Sequence, residues 1–282
     1  MMAVLMFLFV CPPAFAVQSD VSDGAKIFPK STNVFLQVHQ PDELIEKILG
    51  HPLRQKIESL EPVKEALNSP QMKQGRLGLA FLETRIGEKW LPALKKLTDN
   101  GLFVGAELGS ESVGIAFCSS DEALLKKTAG EILGFVKQQG GENALEIREY
   151  RSGKFAQIDD LVIARFGEWF IMSNKDKYAQ KMADNLLDGV KAGKELSNSL
   201  AASEVFGNAW KAFTGTSDAW AFADLKILRQ APGVKPLFAG TTENPGVELL
   251  FGGILEAFED AEYVSGDLRL NDKSLAFSST LP

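Results

Sequence analysis

The chain has 282 residues, 37 acidic and 30 basic, for a net charge of −7 at pH 7. That balance excludes a nucleic-acid surface and a polybasic membrane patch, both of which need clustered Lys and Arg. At 45% hydrophobic and 24% charged residues the composition is globular, which excludes disorder, and the length suits one large domain or two small ones.

Met1 to Ala16 carry no charged side chain. The run is too short to span a membrane, which takes roughly 20 apolar residues. Pro12 and Pro13 stop any helix there, because neither ring nitrogen can donate a backbone hydrogen bond. Ala14-Phe15-Ala16 then gives the small-x-small pattern of a cleavage site, followed by polar Gln18-Ser19-Asp20. The reading is a signal peptide over 1–16, removed after Ala16, although the usual basic start is missing. A buried N-terminal element is the alternative. A lipoprotein with Cys11 lipidated is disfavoured by bulky Phe9 and Val10. Cys11 leaves with the leader, so an exported chain keeps only Cys118 and has no disulfide framework.

Within residues 17–282 the first element is an alternating strand, 33–40, followed by a helix over 41–49 that starts on Pro41. Residues 51–100 read as short helices punctuated by Pro52, Pro62, Pro70 and Pro92, with Gly101 as the last terminator. Two apolar runs around "GSES" predict a hairpin over 101–120. Ser119 and Glu122 have capping-box spacing ahead of a helix carrying Leu125, Ala129, Ile132 and Val136, closed by Gly140-Gly141. Three or four strands follow to residue 174, turning at Ser152-Gly153, Asp159-Asp160 and Gly167-Glu168. Asn174 is placed to cap a helix carrying Ala179, Met182 and Leu186.

The polar stretch 189–200 is the candidate boundary. A helix near 201–213 and a strand over 218–225 come next, then a loop with Pro232, Pro236 and Pro245 and a helix over 246–262. The last two strands turn at Asn271-Asp272. Short connections between neighbouring strands favour antiparallel pairing, so the predicted class is α+β, with helices packed on one face of hairpin-built sheets. "NVFLQVHQPDELIEKIL" echoes "DAWAFADLKILRQAP", which admits two related lobes, about 17–188 and 201–282.

Reactive constellations are scarce. The only histidines are His39 and His51, with no HExxH or paired-cysteine spacing, so no metal site is assigned. No Gly-x-Ser-x-Gly occurs, and Cys118 in "SVGIAFCSS" reads as a buried thiol. Asp159-Asp160 and the cluster Glu256, Glu259, Asp260, Glu262 are the carboxylates a glycosidase-type pair would draw on, but a solvated turn and helix end account for them. Trp169-Phe170 and Trp220-Phe222 fall inside apolar strands, as core residues do. No catalytic, cofactor-binding or metal residue is assigned.

"IFPKSTNVFLQVHQPDELIEKILGHPLRQKIE", "GLFVGAEL" and "DAWAFADLKILRQA" together resemble the large secreted proteins of planctomycete bacteria, some grouped with the domain of unknown function 3352. The resemblance covers most of residues 24–270. It rests on structural landmarks and carries over no functional residue. Such proteins are often longer, which implies that this chain is the first part of a larger architecture. The expected function is non-catalytic binding or assembly in the periplasm or outside the cell, with another envelope protein or an apolar ligand as partner. The alternatives are a carboxylate-dependent hydrolase of envelope polymers and a carrier whose sheet curves around an apolar ligand.

Overall fold

The structure, a computed structural model, describes residues 23–141, 145–213, 217–230, 260–271 and 274–282. The leader 1–16 with its cleavage point, the loop with Pro232, Pro236 and Pro245, the 246–262 helix up to Glu259, and Asp272 lie outside these residues.

Prolines start the helices between residues 41 and 100. Helices α2 (Pro41–Gly50), α3 (Pro52–Glu58) and α5 (Pro70–Ile86) open on proline, where the missing N–H costs no helical hydrogen bond. Pro62 is second in α4 (Glu61–Asn68), and α6 (Trp90–Thr98) closes the run. Ahead of them lie α1 (Asp23–Ile27) and strand β1 (Val34–Val38). Sequence pattern opens the fold at residue 33 and misses α1. Yet Ala25, Ile27 and Phe28 are fully buried. Phe28 sits so close to β2 (Leu102–Glu107) that a Cβ at Gly105 would come within 2.4 Å of its ring.

Two expected caps are corrected. Helix α7 (Glu122–Gly140) is capped by Asp121, whose side chain accepts from the Leu124 N–H at 2.8 Å. Ser119 instead donates its hydroxyl to the Lys96 carbonyl at 2.8 Å, because the chain leaves β3 (Ser112–Cys118) directly over the end of α6. Asn174 caps nothing: its amide donates to Glu111 O and its carbonyl accepts from Val113 N, pinning the β2–β3 turn. Helix α8 (Asp176–Asn185) therefore starts without a side-chain cap.

The three or four strands expected before residue 174 are four: β4 (Glu146–Tyr150), β5 (Gly153–Ile158), β6 (Leu161–Phe166) and β7 (Trp169–Ser173). After helix α9 (Glu204–Ala212) come β8 (Ala219–Asp224), the short helix α10 (Leu225–Leu228), β9 (Tyr263–Asn271) and β10 (Ser274–Thr280). Among the described residues all ten strands join one antiparallel sheet in the order β10-β9-β8-β1-β2-β3-β7-β6-β5-β4. The fold is α+β. The two echoing stretches meet at the β1–β8 pair, from Val34↔Ala223 to Val38↔Ala219, so residues on both sides of 189–200 build the same sheet.

The expectation of helices on one face is corrected as well. Phe35, Phe103, Phe155, Phe166, Ile171, Trp220 and Phe222 pack on one face with residues of α1, α8 and α9. The alternate residues Ala156, Ile163 and Phe170 pack on the other with Ile86, Ala93, Leu97 and Leu125, from α5, α6 and α7. A third cluster, Val38, Leu44, Ala219 and Leu270, seats α2. Strands such as "LVIARF" and "WFIMS" are apolar at successive positions, which requires cover on both sides. On the second face one cross-strand row runs Ile147–Ala156–Ile163–Met172–Ile115–Val104–Leu36–Ala221. It is deeply buried at Ala156 and Ile163 but emerges at Ile147, 52% exposed, and at Leu36, 37% exposed.

Candidate functional site

Where α7 crosses β4, β5 and β6 it leaves a groove of about 580 Å³, inside the roughly 300–1,000 Å³ range of ligand pockets. Ile147, Ala156, Ile163 and Phe170 form its floor, and Ala129, Gly130 and Leu133 of α7 form its wall. The wall is held in place from behind. Lys127 donates to the Ile86 carbonyl at 2.7 Å, Arg85 pairs with Glu131 at 2.8 Å, and Phe81 meets Phe135 at 5.2 Å between ring centres. Glu122, in the first turn of α7, pairs with Arg165 of β6 at 3.0 Å and fixes that end over the sheet.

Gly130 is the element of the wall that sequence could have flagged. Glycine inside a helix costs about 1 kcal/mol relative to alanine, and α7 carries both Gly130 and Gly134. A Cβ at either would meet nothing within 4 Å, so neither is demanded by packing. At Gly130 the space its side chain would fill is the groove.

A second, more polar cleft of about 630 Å³ is lined by Asp23, Gln37, Asn100, Phe103, Cys118 and Glu168. Its chemistry argues against a thiolate nucleophile. Burial, then the charges of Glu168, Asp99 and Asp23, push the Cys118 thiol up to about 11, so it is protonated at neutral pH. Asp23 pairs with Lys26 at 3.0 Å and Glu168 with Lys191 at 3.6 Å. In protein starting at Val17, Cys118 is expected to resist dithiobis-nitrobenzoate for hours and to react stoichiometrically on unfolding. Rapid modification of the native protein would contradict that placement.

The other singled-out residues scatter. His39 stacks on Phe213 at 5.7 Å between ring centres, and burial holds its imidazole below the ordinary range. His51 lines a separate small cavity with Glu46 and Lys47. Asp159 and Asp160 are exposed in the β5–β6 turn, and Glu262 is tied to Lys226 at 2.5 Å. Glu256 and Glu259 lie outside the described residues. Trp169 and Phe170 are both buried but on opposite faces of the sheet, while Trp220 and Phe222 share one. Among the described residues no three His, Cys, Asp or Glu side chains converge as a metal site, and no helix is long and apolar enough to cross a membrane.

The fold and groove thus define an α+β protein with a half-open apolar site against its sheet. No protein-family model matches the chain, and no curated protein matches its sequence. Among solved structures it is similar to TP0453. Crystal form III of that protein gives 10% identity and a TM-score of 0.43 over 93% of this chain and 80% of that one. Crystal form IV gives 8% identity and 0.44 over 94% and 83%. A likeness this distant carries no argument about function.

Proposed function

We propose that the protein is an exported, non-catalytic binding protein that holds an apolar ligand in the groove between α7 and β4–β6. The observation that carries this reading is a ligand-sized space whose floor and wall are apolar and whose wall contains a glycine that packing does not require. No carboxylate lines the groove among the described residues, so it does not hold the carboxylate pair that glycosidase-type hydrolysis draws on. Export follows from the leader reading, and the site of action is the periplasm or the exterior.

The test is binding of neutral N-phenylnaphthylamine, read by fluorescence, with native mass spectrometry for co-purified lipid. Gly130→Phe fills the groove and is expected to weaken the probe about tenfold or more, the scale of losing a buried apolar contact. Gly130→Ala leaves the space open and retains binding. Both variants keep wild-type stability or gain slightly, since they remove a helical glycine. Equal binding by wild type and Gly130→Phe would place the ligand elsewhere.

A further inference from the structure

We infer that the groove selects an amphiphile with an anionic head, held at the end marked by Lys126, its apolar chain running along Leu133 and Ile163. This rests on the groove being the ligand site.

In a chain of net charge −7, the groove is lined by Lys126, Lys154, Arg165 and Lys191, with no Asp or Glu among the described lining residues. Three of these cations gather at one end for a reason written in the register. Lys154 and Arg165 are cross-strand partners, and Ala156 and Ile163 are the next pair on the same face, about 7 Å along the strands. Charge therefore occupies the β5–β6 part of one row, which continues into Phe170 opposite Arg165, and apolar side chains fill the row beside it. Helix α7 repeats the order. Its N-terminal end is tied over Arg165 through Glu122, and its wall then reads Lys126, Ala129 and Gly130, Leu133, at helical spacing. Floor and wall both pass from cationic to apolar in the same direction.

The counter-charges lie outside the lining. Glu122 holds Arg165, Glu149 holds Lys154 at 3.1 Å and Glu168 holds Lys191 at 3.6 Å. The Lys154–Glu149 pair is exposed on both sides, so it contributes little and a bound anion can displace it, while Arg165 and Lys191 are half-buried and also donate to the Gly167 and Phe166 carbonyls. Lys126 has no ion-pair partner among the described residues. An anion beside it, against an apolar wall that excludes water on one side, is attracted more strongly than in bulk solvent. The contrary possibility is that the lysines merely lay their methylene stems over the groove with their ammonium groups in water. In that case charge would not affect ligand choice.

Displacement of N-phenylnaphthylamine by dodecanoate and by dodecanol, at neutral pH and two salt concentrations, separates these cases. Dodecanoate is expected to bind about tenfold tighter than dodecanol, the scale of one charge-assisted contact, with the advantage shrinking as salt rises. Lys126→Gln should remove most of that advantage and leave dodecanol unchanged, and Lys154→Gln, a second exposed position, should reduce it. Lauroyl lysophosphatidate, run alongside, tells a phosphate head from a carboxylate, and tight binding of either supports the inference. Equal affinity for dodecanoate and dodecanol, or an advantage that survives both substitutions, overturns the anionic head and leaves apolar carriage standing. Failure of all three amphiphiles to displace the probe overturns both.

Discussion

Trp220→Ala is expected to lower the free energy of unfolding by about 3–5 kcal/mol, the cost of deleting a large aromatic from a close-packed core. Trp220 projects from β8 with 2% of its surface exposed. Its ring centre lies 5.1 Å from Trp210, 5.6 Å from Phe206, 5.9 Å from Phe213 and 6.4 Å from Phe35. Those rings come from α9, from the residue that follows it and from β1, so one side chain fastens the helix to two neighbouring strands. The lost area would leave a cavity that the surrounding rigid rings cannot collapse to fill. Denaturation in guanidinium chloride measures the loss, and Trp220→Phe, which keeps a ring, should lose distinctly less. A loss below about 1 kcal/mol for Trp220→Ala would mean that α9 does not rest on this ring.

A substitution of almost the same size should be as damaging at Asn185, and its damage should depend on pH. Asn185 is fully buried at the end of α8, where its amide donates to the carbonyls of Ile27 at 3.1 Å and Phe28 at 3.3 Å. That amide ties the chain just after α1 to the body of the fold. Asn185→Asp replaces the donor with a carboxylate that faces two carbonyl oxygens in a buried site, an expected cost of about 3–5 kcal/mol near neutral pH. Burial and the facing carbonyls raise the folded-state pKa of the introduced carboxyl above its unfolded value of about 3.9. The penalty is therefore complete above that raised pKa and fades as pH falls through it, because the protonated acid can again donate. The stability gap to wild type should narrow from neutral pH toward about pH 4.5. Asn185→Leu removes both donations without adding a charge, and Phe28 O keeps the Leu200 N–H at 2.8 Å, so its loss should not vary with pH. A gap for Asn185→Asp that stays constant or widens on acidification would rule this account out.

Both positions show what local pattern can and cannot reveal. Trp220 sits in "DAWAFADL", whose strand and core character are legible from its apolar residues. Asn185 is one polar residue in a helix, and nothing near it in sequence points to carbonyls 157 and 158 residues away. Sequence pattern misses helix α1 for a related reason: five residues are too few to display a helical period, and their burial comes from α8, the segment after it and β3, all distant in the chain. The caps misread at Ser119 and Asn174 had correct residue types at correct spacing. Lys96, Glu111 and Val113 offered competing hydrogen bonds that exist only once β3 and β7 are paired.

The groove divides along the same line. Each of its parts was placed on the right element: Lys126, Gly130 and Leu133 on a helix, Lys154, Ala156, Ile163 and Arg165 on strands. Their convergence depends on the register of β5 against β6, and on Glu122 bringing the end of α7 to Arg165.

The amino-acid order by itself determined most of the helices and strands, α1 excepted, the prolines that begin α2, α3 and α5, and that the strands pair antiparallel through short turns. Those properties are set by contacts within a few residues, through backbone sterics and the two side-chain periods. Tertiary structure alone decided that the ten strands among the described residues form one sheet, that helices cover both of its faces, and that cations line an apolar groove. Each of these depends on contacts between residues distant in the chain, and the closure of those long loops leaves no trace in local pattern.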